Sequence, residues 1–180
     1  MKPIAKLAIV IAVQLLVLLS VIGFKQYTVW TGETVLLKVQ PVDPRDLIRG
    51  DYVIVRYEIS DIDTGQIAGD DYPYGTVYVE LREDADGYWS AVAIHEDRDR
   101  TFDDTLLIKG KVNDAFVRGG RNDLRIDYGI EEIFIPEGSG DQLPFGNGHI
   151  IAVEVKVDRF GNAVARGFYV DGAPFELERP

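Results

Sequence analysis

Two hydrophobic patterns divide the chain. From Leu7 to Phe24 nearly every residue is apolar, and Gln14 and Ser20 are the only clearly polar side chains. As a helix this run spans roughly 27 Å, which, with flanking residues, crosses a bilayer core of about 30 Å. Further along, short runs rich in Val, Ile, Tyr and Thr alternate with Gly, Asp and Asn, as in strands and turns. We therefore predict a membrane anchor with its interfacial flank in residues 1–30 and one β domain in residues 31–180.

The charges beside the apolar run predict its orientation. Lys2 and Lys6 precede it and Lys25 alone follows closely, which favours an N-terminus inside the cytoplasm and a domain outside it. The run is longer than the apolar core of a usual signal peptide, and no Ala-x-Ala-like pair follows it. An uncleaved anchor, in contact with the lipid bilayer through residues 7–24, is therefore favoured over a cleaved signal peptide.

The β domain is predicted to contain eight strands and to form an antiparallel sandwich or a partly open barrel, because no helical period follows the anchor. Hairpin turns are expected at Asp84–Gly87 and Asp158–Asn162, with Gly and Asn adopting positive φ, and Asp171-Gly172 is expected to end the last strand. Residues 130–135 fit either a short helix or a strand. The predicted strands are Glu33–Gln40, Asp51–Ile59, Thr76–Leu81, Tyr88–Ile94, Leu106–Val112, Leu124–Tyr128, Ile150–Val157 and Ala163–Val170.

Composition narrows the chemistry of the domain. The chain has no cysteine, which excludes disulfides, thiolate metal sites and cysteine nucleophiles. All 30 acidic residues but only 16 of the 19 basic ones lie beyond Lys25, so the rest of the chain carries a formal charge of −14. A domain this acidic is poorly suited to nucleic acid, and we expect no nucleic-acid partner.

The densest local signal runs from Pro41 to Tyr57. Within it, Gly50 provides a sharp bend that starts a strand, and Asp51 can accept backbone N–H bonds at that bend. Tyr52 and Tyr57 lie five positions apart, so on a regular strand they face opposite sides. The two aromatic rings therefore cannot both lie in the core, unless a bulge intervenes.

This stretch resembles the GDYXXLXY family, named for its motif. Gly50, Asp51, Tyr52 and Tyr57 match the motif, and Val55 occupies its Leu position. The stretches 128–138 and 169–172 are also similar to family features. The resemblance implies an anchored protein of the bacterial cytoplasmic (inner) membrane and assigns no activity. The residues proposed for the motif and a possible interaction surface are Arg49, Gly50, Asp51, Tyr52, Val55, Tyr57, Tyr128, Gly129, Glu137 and Gly138.

Three functional hypotheses follow from these residues. The first is a binding or assembly module that acts with another membrane protein and needs no cofactor. The second is an anchored hydrolase with carboxylate-based or metal-assisted chemistry, and a degenerate signal-peptidase-like domain is a variant that needs a Ser–Lys pair. The third is a purely structural motif. No catalytic or metal residues are assigned, since the serines Ser60, Ser90 and Ser139 lack a recognisable lysine context, and His95 and His149 fit surface histidines better than metal ligands.

Overall fold

The computed structural model describes residues 3–40, 52–63, 65, 75–98, 104–118, 121–145 and 148–179. Within these ranges one long helix precedes eleven strands and two short 3₁₀ turns. The elements are α1 Pro3–Thr31, β1 Glu33–Lys38, β2 Tyr52–Ile54, a 3₁₀ turn Glu58–Ser60, β3 Asp61–Asp63, β4 Gly75–Glu83, β5 Trp89–His95, β6 Thr105–Arg118, β7 Arg121–Asp127, β8 Glu132–Phe134, a 3₁₀ turn Gly140–Gln142, β9 Ile151–Val157, β10 Ala163–Val170 and β11 Ala173–Phe175.

The apolar run forms most of α1, a single helix of 29 residues. Its stretch Ile9–Thr31 is long and apolar enough to cross a membrane, with a mean hydropathy of 2.1, and the apolar window of 18 residues within it is not buried in the fold. A helix of this length and composition suits a membrane anchor or a signal sequence. It continues beyond the predicted span of residues 7–24, because its last turn packs against the β domain.

The strands form three antiparallel sheets. Their strand orders are β1-β9-β10-β11, β3-β7-β6-β4-β5, and a separate two-stranded ribbon β2-β8. The sheets curl into a half-barrel and a nearly closed barrel, which confirms the prediction of a mostly β, antiparallel, partly open barrel. Alternate residues of the strands fill the shared core: on β1, for example, Val35 and Leu37 are fully buried.

The second predicted strand, Asp51–Ile59, is wrong beyond Ile54. The strand ends there, and a 3₁₀ turn follows at Glu58–Ser60, closed by a bond from the Ser60 N–H to the Tyr57 carbonyl at 3.0 Å. Tyr57 instead forms an isolated bridge with Val39. The chain leaves the ribbon at this point because the Tyr57 side chain is directed into the core.

Three short strands were not predicted as strands or were left open. The alternatives for residues 130–135 resolve to strand β8, whereas β3 and β11 contain only three residues each. A strand of three residues is too short to show the alternation of apolar and polar residues by which strands are predicted from sequence. In β11, Pro174 is tolerated because that strand lies at the edge of its sheet.

The predicted hairpins are confirmed, with one correction. Gly87 and Gly161 have φ of 81° and 82° and occupy the two turns. Asn162 does not adopt positive φ, and its side chain instead donates to the Asp158 carboxylate at 3.0 Å. Asp171 and Gly172, at φ of 50° and 80°, join β10 to β11 as the two-residue turn favoured between antiparallel strands.

Candidate functional site

The part of the motif that the structure describes lies in the β2-β8 ribbon. Tyr52 pairs with Phe134 across the two strands, and their ring centroids are 6.3 Å apart at an angle of 62°. Phe134 is 82% exposed and Tyr52 is half-buried. An edge-to-face pair of this kind is stabilised by the ring quadrupoles. The ribbon thus presents an aromatic surface to its surroundings.

Tyr57, the other aromatic residue of the motif, is fully buried. Its hydroxyl donates to the carbonyl of Ile130 at 2.7 Å, while the hydroxyl of Tyr128 donates to the carbonyl of Ile59 at 2.6 Å. Each tyrosine therefore reaches across to the backbone beside the other. We call Tyr57 and Tyr128 the crossed tyrosine pair. It ties the segment after β2 to the segment before β8.

Glu131 supports this crossing. Its carboxylate accepts the backbone N–H of Tyr128 at 2.5 Å, and its carbonyl accepts the N–H of Val55 at 2.8 Å. Burial, and then the charge of Glu131, raise the pKa of both Tyr57 and Tyr128 above the ordinary value of 10. Both phenols therefore stay protonated and keep donating hydrogen bonds at physiological pH. Val55, at the Leu position of the motif, packs in the same core.

The remaining predicted site residues are dispersed. Glu137 and Gly138 are the exposed central residues of a turn from Pro136 to Ser139, in which Gly138 has φ of 74°, in the left-handed region that favours glycine. Gly129, with φ of 73°, lines a crevice beside α1. Arg49, Gly50 and Asp51 lie outside the described residues, so the roles predicted for them stay predictions.

The residues considered for catalysis have other partners. The hydroxyl of Ser90 donates to the Asp84 carboxylate, that of Ser139 donates to the Pro136 carbonyl at 2.6 Å, and that of Ser60 accepts the Tyr57 N–H at 3.3 Å. None of these serines is hydrogen-bonded to a lysine in the part of the chain that the structure describes.

The two histidines each contact a carboxylate. His149 Nδ1 lies 2.7 Å from Asp171 on the exposed β10-β11 turn, whereas His95 Nε2 lies 2.8 Å from the buried Glu80. The expectation of a surface residue is therefore wrong for His95, because Glu80 on the neighbouring strand holds the ring against the sheet. Across the described ranges, no three His, Asp or Glu residues are grouped to hold a metal ion.

A second site, which the sequence analysis did not identify, joins α1 to the domain. The buried hydroxyl of Thr28 donates to the Asp158 carboxylate at 2.8 Å, across 130 residues of chain. Asp158 also accepts the N–H groups of Phe160 and Asn162 at 2.8 and 3.0 Å. Burial raises the pKa of Asp158, but the bonds from Asn162, Thr28 and the backbone outweigh it, so the pKa lies below the ordinary 3.8.

The nearest sequence signal for this junction was the Asp158–Asn162 hairpin, which predicted a turn but not its contact with the helix. Thr28 lies on α1 one turn after Phe24. From sequence, this position was assigned to the interfacial flank of the anchor. Only the fold shows that the helix ends on the domain itself.

Comparison with known proteins bears on the identity of the chain. The model of the family described as "GDYXXLXY protein" matches residues 14–168, from within α1 to β10. No curated protein and no solved structure matches the chain. The match includes the motif, the crossed tyrosine pair and the helix junction. Because it covers most of the sequence, the chain belongs to the GDYXXLXY protein family.

Proposed function

We propose that this chain is a membrane-anchored binding or assembly module that acts with another membrane protein. Its domain is held outside the cytoplasm of a bacterial inner membrane by α1. The observation that carries the binding role is the Tyr52–Phe134 pair, an aromatic surface on a ribbon that, among the described residues, pairs with neither of the other two sheets.

Exposure and rigidity together support this assignment. Aromatic rings that are exposed in the free protein but held in a defined orientation are typical anchors of protein interfaces, since little side-chain entropy is lost on binding. The crossed tyrosine pair joins the segment that follows β2 to the segment that precedes β8 through two hydrogen bonds, next to the ribbon in the chain. The motif thus combines a structural residue, Tyr57, with a surface residue, Tyr52.

The anchoring role rests on the helix. Its side chains from Leu7 to Phe24 that the structure describes are exposed and almost all apolar, and Trp30, 80% exposed, suits the interfacial belt where aromatic residues concentrate. Carbonate extraction should leave the full-length protein in the membrane fraction. Protease added outside spheroplasts should digest the domain and spare a tag fused to the N-terminus. Digestion of the tag instead would reverse the proposed orientation.

The binding role is tested by co-purification of the tagged full-length protein from its native membranes. We expect a membrane protein in near-stoichiometric yield with the unmodified chain, and its loss from a variant carrying Tyr52→Ala and Phe134→Ser. Ile150→Ser is the matched control, because Ile150 is also an exposed apolar residue, 46% exposed, but lies directly before β9. Retention of the partner by the double variant, or recovery of the chain alone, would contradict the proposal.

A further inference from the structure

The end of α1 lies against the turn between β9 and β10. The Thr28–Asp158 bond fixes the helix to the first residue of that turn, and the rings of Tyr27 and Phe160 lie 6.4 Å apart between their centroids. Gly32, directly after the helix, approaches the backbone of Val157. The side chains of this turn therefore have a defined position along the helix axis, beside the end of α1.

Several basic side chains lie beside this turn and the end of α1. The guanidinium carbons of Arg98 and Arg159 lie 5.1 and 4.7 Å from the centroid of Phe160. Lys25 and Lys109 line a crevice of about 170 Å³ between the helix and the same turn. We call these five residues, Lys25, Arg98, Lys109, Arg159 and Phe160, the juxtamembrane patch.

The arginines of the patch form few contacts with the protein: Arg98 Nη1 donates one long hydrogen bond, of 3.5 Å, to the carbonyl of Arg159. Neither Arg98 nor Arg159 forms an ion pair with any residue that the structure describes. A guanidinium stacked on an aromatic ring still presents its N–H groups at the edge, where they match the paired oxygens of a phosphate. Phe160 is 37% exposed, so its ring is open to solvent as well as to the arginines.

The position of the patch relative to a bilayer follows from the helix. Thr28 is fully buried against the domain, so the hydrocarbon core ends before it. Lys6 and Lys25 bracket the apolar run, which as a helix matches a hydrocarbon core of about 30 Å. Tyr27 lies two residues, roughly 3 Å, beyond Lys25 along the axis. Phe160 and its arginines therefore lie within the headgroup layer, which is about 5–7 Å thick.

The charge of the patch is opposite to that of the domain around it. Beyond Lys25 the chain carries a formal charge of −14, which by itself repels an anionic surface. At physiological salt, however, exposed charges act over only about 8 Å. A phosphate in the headgroup layer is therefore affected by the patch far more than by distant carboxylates.

From these observations, and resting on the proposed membrane anchor, we infer that the juxtamembrane patch binds the phosphates of anionic phospholipid headgroups. Arg98 and Arg159 supply bidentate donors, Lys25 and Lys109 add charge, and Phe160 enters the interface beside Tyr27. The bound lipids fix the orientation of the domain relative to the membrane surface.

The test uses purified full-length protein equilibrated in detergent with an equimolar mixture of phosphatidylglycerol and phosphatidylcholine, with bound lipids counted by native mass spectrometry. The unmodified chain should retain phosphatidylglycerol preferentially. In the variant Arg98→Gln with Arg159→Gln, this preference should fall by about fivefold for each arginine removed. The control, Arg56→Gln with Arg82→Gln, makes the same change of charge at two exposed arginines of the domain and should retain the preference.

Arg56 and Arg82 suit this control because both lie far from the helix end. Arg56 follows β2, and its carbonyl accepts the N–H of Gln40, beyond the end of β1. Arg82 precedes the hairpin whose Asp86 contacts Lys38. Lys38 is five residues along β1 from Glu33, or roughly 17 Å from the helix junction.

Equal retention of the two lipids by the unmodified chain, or an unchanged preference in the arginine variant, would overturn the inference. Displacement of the lipid by excess inorganic phosphate would overturn it too, since it would indicate a site for free anions. Incorporation into lipid nanodiscs distinguishes failure of the lipid-binding inference from failure of the proposed membrane anchor. A chain that does not enter nanodiscs contradicts the anchor, and the inference with it; entry without a headgroup preference contradicts the inference alone.

Discussion

At the scale of single residues, Tyr52 and Tyr57 differ in what their rings contact. Tyr57 is enclosed, and its hydroxyl is the donor for the Ile130 carbonyl. Tyr52 is half-buried and shares its exposed side with Phe134. A buried hydroxyl that satisfies a buried carbonyl contributes to stability, whereas an exposed aromatic pair contributes little to folding and more to recognition. The motif therefore carries both a folding residue and a surface residue.

Replacing Tyr57 with Phe should destabilise the full-length protein by about 1–3 kcal/mol, because the Ile130 carbonyl loses its donor in the core. Tyr52→Phe is the matched control, and we expect a change within about 0.5 kcal/mol, as at a surface position. Urea unfolding in detergent, followed by tryptophan fluorescence, measures both. Equal midpoints for the two variants would show that the Tyr57 hydroxyl does not stabilise the fold.

Asp158 predicts a specific dependence of stability on pH. Its pKa in the folded protein lies below the ordinary 3.8, so folding favours the ionised carboxylate. This stabilisation is fully present at pH values above 3.8, the ordinary pKa of an Asp carboxyl, and it is lost as the pH falls through the lowered pKa of the folded protein. The difference in unfolding free energy between the unmodified chain and Asp158→Asn should therefore be constant near neutral pH and shrink below about pH 4. A difference that grows on acidification would contradict this account.

At the scale of elements, the sequence was informative where runs were long. Strands such as β9 and β10 were predicted nearly to their ends, because a period that repeats over several residues defines them. The apolar helix was predicted, but it extends past the predicted span at both ends. The spacing of Tyr52 and Tyr57 predicted opposite faces only for a regular strand, which ends at Ile54. The burial of Tyr57 instead accompanies a hydrogen bond to Ile130, 73 residues away in sequence, which the sequence pattern did not indicate. The Thr28–Asp158 junction was missed for the same reason.

The junction between α1 and β1 depends on Gly32 having no side chain. A Cβ there would lie 2.5 Å from the Thr28 carbonyl oxygen and 3.1 Å from the backbone of Val157. Backbone atoms cannot move aside as flexible side chains can, so Gly32→Ala should destabilise the protein by about 1–3 kcal/mol.

Gly167→Ala provides the control for this junction, since a Cβ at Gly167 meets no atom within 4 Å and its φ is not positive. We expect its stability to stay within about 0.5 kcal/mol of the unmodified protein. Thermal unfolding in detergent compares the two variants. An unchanged melting temperature for Gly32→Ala would mean that the helix is not packed on the domain as described.

At the scale of the whole molecule, a continuous series of hydrogen bonds and paired strands joins the helix, the junction and the ribbon. Thr28 is bonded to the β9-β10 turn, the Lys109 N–H donates to the Gly161 carbonyl of that turn at 2.8 Å, and β6 and β7 lead on to the crossed tyrosine pair. The Tyr52–Phe134 surface is thus connected to α1 through the fold. With α1 as the proposed membrane anchor, a partner bound there would be held beside the same membrane.

Site-specific photo-cross-linking in native membranes tests this central claim most directly. Benzoylphenylalanine at position 134 should give one dominant product joining the chain to a second membrane protein, and Tyr52→Ala should reduce it. The same probe at position 150, where the exposed apolar residue Ile150 directly precedes β9, should not give that product. If position 134 yields no product, or only the products seen from position 150, the ribbon is not a partner surface and the proposed function is wrong.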